Sequence, residues 1–154
     1  MQEERTLIII KPDAIKRNFL GEIIHRFERK GLRIVGIKMD ELSNHVLEEH
    51  YAHHKEKPFF EELRKFMQAS PVVLLVLVGP NAISAVRLIV GPTKGHEAPA
   101  GTIRGDFSIS TAGNVVHASD SPETAEAEIA RFFKPEELFS YRRVDESYVC
   151  GVAE

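Results

Sequence analysis

The chain has 154 residues, 43% apolar and 28% charged, with a net charge of −3 and no tryptophan, a composition suited to one soluble domain able to bury a core. The slight acidity gives no support for a nucleic-acid or membrane partner held by bulk electrostatics. Cys150 is the single cysteine, which excludes an intrachain disulfide and cysteine-rich metal sites.

The N-terminus, Met1-Gln2-Glu3-Glu4-Arg5, is acidic where a secretory signal is basic. Thr6 to Ile10 is an apolar run ended by Lys11-Pro12-Asp13, and predicts a buried first strand. Leu20, Ile23, Ile24 and Phe27 recur at helical spacing, and Gly31 closes that helix. Arg33 to Met39 alternates as a second strand. Ser43 caps a helix carrying Val46, Leu47 and Tyr51, and Phe59, Leu63, Phe66 and Met67 form a further amphipathic stripe after Pro58. Val72 to Val78 is the longest apolar run, a buried strand and far too short to span a bilayer. A cytoplasmic location is therefore expected. Asn81 opens a helix with Ile83, Val86 and Val90 inward, ending at Gly91. Pro92 to Gly113 is rich in glycine, proline and polar residues, and such a long loop marks function or disorder. Ala125, Ile129, Phe132 and Phe133 mark the last long helix, started by Ser121 as cap and Pro122 as first residue. No repeat or interdomain linker interrupts the chain, so residues 1–154 are expected to form one domain. Alternating strands and helices fit a doubly wound parallel sheet by default, and also a split β-α-β sandwich with a helical hairpin between strands two and three.

The segment Asn114-Val115-Val116-His117-Ala118-Ser119-Asp120-Ser121 carries the most chemistry. It sets His117 between a β-branched run and a helix start, held by a strand yet open to a ligand. A neutral imidazole is a nucleophile available at physiological pH. In a regular strand Ser119 shares the face of His117 while Asn114 points away, so Asn114 joins the site only if the chain is irregular there. No Walker loop or G-x-G-x-x-G is present, so bound phosphates need side-chain cations. Lys11, Arg87 and Arg104 are the candidates, guanidinium groups being suited to bidentate phosphate contacts. His50, His53 and His54 could share a helical face, but with no H-E-x-x-H among Lys55, Glu56 and Lys57 they predict a solvated helix end rather than a zinc site. Neither Ser119 nor Ser121 lies in a G-x-S-x-G turn.

The histidine segment, Thr102-Ile103-Arg104-Gly105-Asp106-Phe107, Lys11-Pro12-Asp13, Gly21-Glu22-Ile23-Ile24, and the stretch from His50-Tyr51 to Lys57-Pro58-Phe59-Phe60 together resemble the nucleoside diphosphate kinase family, in order, from Arg5 to about Leu138. The resemblance implies an α+β, ferredoxin-like fold: an antiparallel four-stranded sheet with helices packed on it and an inserted helical hairpin, in place of the parallel default. It implies ping-pong transfer of a γ-phosphoryl group from a nucleoside triphosphate to a nucleoside diphosphate through a phosphohistidine on His117. By matching positions, Lys11, Tyr51, Arg87, Thr93, Arg104 and Asn114 contact phosphates or sugar, Phe59 stacks on the base, Glu128 orients the imidazole and Ser119 assists. Mg²⁺ is the implied cofactor, held mainly by the nucleotide phosphates rather than by a protein metal site, and a homo-oligomer, a hexamer by preference, is the implied assembly. For Phe59, stacking competes evenly with a place on the core stripe of Leu63 and Phe66. Ala118, Ala14, Thr111 and Gly95 depart from the family pattern, as does the tail, residues 139–154, which lacks the familiar aromatic ending. Arg142-Arg143 and Asp145-Glu146 predict a solvated tail, with packing on a neighbouring subunit as the alternative.

Two other classes compete. A regulatory module that keeps the fold without catalysis would lack His117 or the basic set, and both are present. A nucleic-acid-binding ferredoxin-like domain calls for strand aromatics and a basic face, which the strands and the charge do not supply.

Overall fold

Strand β3 (Val72–Pro80) is the axis of the structure, a computed structural model that describes residues 2–151. On one side it pairs with β1 (Glu3–Ile10), on the other with β2 (Arg33–Asp40), and the short β4 (Val116–Ala118) completes the far edge in the order β2-β3-β1-β4. Every pairing is antiparallel, so the parallel sheet suggested by alternation alone is replaced by the ferredoxin-like arrangement.

Helices cover both faces, which explains the unbroken apolar run of β3. Ile8, Ile10, Val73, Leu75 and Leu77 pack towards α2 (Leu20–Lys30), which follows the one-turn α1 (Pro12–Lys16), and towards α5 (Ala82–Val90). Leu7, Ile9, Leu74 and Val76 pack on the opposite face with α3 (Asn44–His50), α4 (Phe60–Met67) and α7 (Pro122–Phe132). The α3–α4 hairpin is the insertion between β2 and β3.

Local signals are answered largely as expected. Gly31 ends α2 in the left-handed conformation, with φ 105°. Ser43 caps α3 and Ser121 caps α7 through their hydroxyls. Asn81 precedes α5 but its side chain caps nothing; the carboxylate of Glu4 accepts the Ile83 N–H at 3.1 Å instead.

Three expectations need correction. The alternation of Arg33 to Met39 is broken by a bulge between Ile34 and Gly36, so that Val35 and Gly36 are both buried. A Cβ on Gly36 would meet Leu138 Cδ2 at 2.8 Å, and the absence of one lets the chain after α7 cross β2, where the Phe139 N–H bonds the Val35 carbonyl at 2.8 Å. The stretch from Pro92 to Gly113 is not structureless: it holds a 3-10 turn (Gly95–Glu97) and helix α6 (Ile103–Phe107), capped by Thr102. Gly95, which departs from the family pattern, is buried where a Cβ would lie 2.2 Å from Ser108 Oγ, so this loop path requires glycine. The tail is only partly solvated. It forms the short α8 (Glu146–Val149), and Arg33 bridges Glu3 and Glu146; residues 152–154 of the expected tail lie outside the described residues. No helix is long and apolar enough to cross a membrane among the described residues.

Because α7 delivers Glu128 to the site described below, its start matters. Ser121→Ala removes the bond to the Thr124 N–H and is expected to lower stability by about 1 kcal/mol, measured by urea unfolding; an unchanged midpoint would contradict the role given to this cap.

Candidate active site

His117 occupies the centre of β4, opposite Ile9 of β1. Its neighbours Val116 and Ala118 belong to the core under α2 and α5, so strand alternation aims the imidazole at the other layer, towards α3 and α7. There Nε2 lies 2.7 Å from Oε2 of Glu128. The carboxyl of Glu128 is held below the ordinary carboxylate range: burial works against ionisation, but the hydrogen bonds and charges of His117, with Ser119 and His50, outweigh it. An ionised carboxylate only accepts, so the imidazole proton resides on Nε2 and Nδ1 keeps a free lone pair. The other oxygen, Oε1, accepts from Ser119 Oγ at 2.6 Å, and that hydroxyl in turn accepts the Leu7 N–H at 3.1 Å. Glu128 and Ser119 are buried, while His117 retains 25% side-chain exposure. The imidazole is thus fixed from behind and open in front.

Asn114 reaches the same region by the irregularity its spacing required. Val115 has φ 60°, a left-handed value rare for a β-branched residue, and the Val116 N–H bonds the Asn114 carbonyl at 2.7 Å across it, closing a γ-turn. The Val115 N–H donates to Asp13 Oδ2 at 3.1 Å. The guanidinium of Arg104 binds three carbonyls around the turn, those of Asn114 (3.1 Å), Gly91 (3.0 Å) and Val116 (2.6 Å). Asn114 then accepts from Lys11 Nζ at 2.7 Å and donates to the Thr93 carbonyl at 3.2 Å.

This places three cations together. Burial first, then the charge of Arg104, pushes Lys11 down to about 8, and burial followed by Arg87 lowers Arg104 to about 10. Arg87, exposed on α5, approaches only the Ala118 carbonyl, at 3.4 Å. Among the described residues none of the three is paired with a carboxylate; their partners are amide and carbonyl oxygens. Such crowding is costly unless an anion shares it.

Tyr51, just after α3, is half-buried with its phenol pushed up to about 12 by burial and by Glu128, so it is a neutral donor. Thr93 is exposed on the loop. Phe59 is 48% exposed, touched by His54 (ring centroids 5.1 Å apart) and Lys57; it stands off the core stripe, which leaves ring surface for a ligand. The three histidines do not share a solvated helix end. His50 closes α3 and is buried, its ring edge-on to that of His117 at 4.8 Å, while His53 and His54 sit on the following 3-10 turn. Ligand atoms of His50, His117 and Glu128 lie within 4.8 Å of one another, a spacing open to a metal ion, but those of Glu128 and His50 are committed to His117, Ser119 and Arg131. Asp13, His50 and Arg131 carry no role in the sequence pattern. Asp13 and His50 lie within the recognisable motifs, whereas nothing in the chain marks Arg131.

The family model described as nucleoside diphosphate kinase matches residues 4–138. A nucleoside diphosphate kinase of Parabacteroides distasonis is 53% identical over 138 residues, covering 90% of both chains. One of Pyrococcus horikoshii is 52% identical over 155 residues, covering 98% of this chain and 99% of its own. Among solved structures, the Halobacterium salinarum nucleoside diphosphate kinase in complex with CDP aligns with a TM-score of 0.93 and 39% identity, over 96% of this chain and 99% of that one. The Babesia bovis family protein aligns with a TM-score of 0.91 and 43% identity, over 95% and 99%. Fold and relatives agree: the chain belongs to the nucleoside diphosphate kinase family.

Proposed function

We propose that this chain is a nucleoside diphosphate kinase that moves a phosphoryl group between nucleotides by way of His117. The observation that supports this most strongly is the juxtaposition of an imidazole with a free Nδ1 lone pair and a set of cations without carboxylate partners.

In the first half-reaction the Nδ1 lone pair attacks the γ-phosphorus of a nucleoside triphosphate. An N–P bond forms, the P–O bond to the bridging oxygen breaks, and its electrons leave with the diphosphate. The second half-reaction reverses these steps on a different diphosphate. One pocket serves donor and acceptor in turn because the covalent intermediate separates them. The Nε2 proton stays on the Glu128 bond throughout, where the carboxylate stabilises the positive ring that phosphorylation creates. Lys11, Arg87 and Arg104 are assigned to the phosphate oxygens, Asn114 and Thr93 to phosphate or sugar, and Tyr51 offers a hydroxyl that bonds no partner among the described residues. Phe59 supplies a stacking face, and stacking tolerates every base, which accounts for broad nucleoside acceptance.

A divalent metal, Mg²⁺ in this reading, would be held mainly by the nucleotide phosphates and would supply charge neutralisation there; both oxygens of Glu128 and Nδ1 of His50 are already engaged within the protein. Residues 1–154 are read as one kinase domain, cytoplasmic and homo-oligomeric, with a hexamer favoured.

Intact mass after brief incubation with ATP and Mg²⁺ tests the reaction. A single acid-labile phosphoryl adduct is expected, lost on adding GDP or CDP and never formed by His117→Ala. An adduct that persists in the variant would name a different nucleophile, and none in either protein with nucleotide still bound would favour a regulatory module.

Lys11 gives a second test. Its folded value of about 8 lies below the ordinary 10.5, so above pH 8 the free protein holds Lys11 mostly neutral, and a bound polyphosphate favours the charged form. Triphosphate binding at roughly pH 8.5 should therefore take up the greater part of one proton, measured calorimetrically in buffers of different ionisation enthalpy. Uptake unchanged in Lys11→Met would contradict the assignment.

A further inference from the structure

His50 stands close to the oxygen on which the site depends. Its Nδ1 is 3.5 Å from Oε2 of Glu128, the same oxygen that accepts His117 Nε2 at 2.7 Å. A proton on His50 Nδ1 would turn that ring into a rival donor for Glu128. Arg131, one helical turn after Glu128 on α7, removes this possibility. Its Nη1 lies 2.9 Å from His50 Nδ1, and a guanidinium can only donate, so Nδ1 must be the acceptor and the proton of His50 must sit on Nε2. Arg131 is also ion-paired with Glu49, whose Oε1 lies 3.3 Å from its Nε without the alignment of a hydrogen bond, and its side chain is 17% exposed.

We propose that Arg131 is a positioning residue for phosphoryl transfer, which fixes the tautomer of His50 and so reserves Glu128 for His117. The inference rests on His117 being the nucleophile, as proposed above. Packing carries the effect further. The His50 ring lies edge-on to His117 (4.8 Å), to Tyr51 (4.7 Å) and to Phe132 (5.2 Å), so a ring that stays in place limits the rotation of His117 about the orientation Glu128 selects. Charge acts in the same sense. Burial first, then His117, Arg131 and Lys11 against the opposing pull of Glu128, drive His50 down to about 3, so no imidazolium forms beside the nucleophile at neutral pH. With Arg131 removed, the lone pair of His50 Nδ1 loses its donor, and taking the proton there gains a bond to Glu128. His117 Nε2 then shares its acceptor, and Nδ1 of His117 is no longer held as the free lone pair.

The tautomers are readable by ¹⁵N–¹H long-range NMR on the histidine-labelled protein. Wild type should show His50 protonated on Nε2, and Arg131→Leu should show a substantial population protonated on Nδ1. The rate of phosphorylation by ATP should fall roughly tenfold in Arg131→Leu while nucleotide affinity holds, and Arg131→Lys, which keeps a donor, should recover most of it. In a His50→Phe background Arg131→Leu should add nothing further. His50 protonated on Nδ1 in wild type would overturn the proposal, as would full phosphorylation by Arg131→Leu or equal losses with and without His50. The tautomer measurement needs no turnover, so it stands apart from the identity of the nucleophile: absence of a phosphohistidine in wild type would count against the kinase reading alone.

Discussion

The carboxylate of Glu128 is the point on which the site turns. A buried ionised carboxylate costs several kcal/mol unless hydrogen bonds replace its water, and here both oxygens are served, one by His117 and one by Ser119. The first joins α7 to β4, and the second joins it to the residue just past β4 and, through Ser119, to the Leu7 N–H of β1. Charge-assisted bonds of this kind are short and directional. The same group therefore fastens a helix to the sheet edge and selects the tautomer of the imidazole. The helix that presents it is started by Ser121 and Pro122 and seated by Ala125, Ile129 and Phe132, so the core under α7 is also the support of the chemistry.

A second constraint lies at the entrance to β4. The left-handed Val115 costs about 1–3 kcal/mol and survives because its surroundings determine it: Asp13 accepts its N–H, Lys11 N–H bonds its carbonyl at 2.9 Å, and Arg104 binds carbonyls on both sides. The γ-turn reverses the side on which Asn114 would otherwise emerge. Arg104 serves a double purpose here. Its hydrogen bonds shape the turn, and among the described residues its charge has no carboxylate partner, which leaves it available to an anionic ligand. Structure and electrostatics of the pocket are thus built from one side chain rather than from separate scaffolding and functional sets.

Much of this was legible in the chain and some was not, for reasons that differ by residue. β3 announces itself as an unbroken apolar run because both of its faces are covered, and α7 by its cap and its stripe. The direction of the strands was not legible from alternation, since periodicity gives elements and not their pairing; only the ordered motifs pointed to the antiparallel sheet. α6 is not legible because a five-residue helix inside a glycine- and proline-rich stretch offers too few positions for a period. Val115-Val116 looks like plain strand, and a γ-turn held by distant Asp13 and Arg104 leaves no local trace. Spacing could not decide Phe59, because a stacking ring and a core ring fit the same stripe. His50 looked like part of a charged helix end, and what buries it, α7 with Phe132, lies some eighty residues away.

The central claim is that Glu128 holds the proton on Nε2 of His117 and leaves Nδ1 to form the bond to phosphorus. The most direct measurement is ³¹P–¹⁵N correlation NMR of the protein phosphorylated by ATP and labelled at histidine, which identifies the nitrogen that carries the phosphoryl group. Phosphorus bonded to Nδ1 of His117, with the Nε2 proton retained, is the result this geometry predicts. Phosphorus on Nε2 would mean that the Glu128 bond must break for the reaction to occur, and would contradict the account.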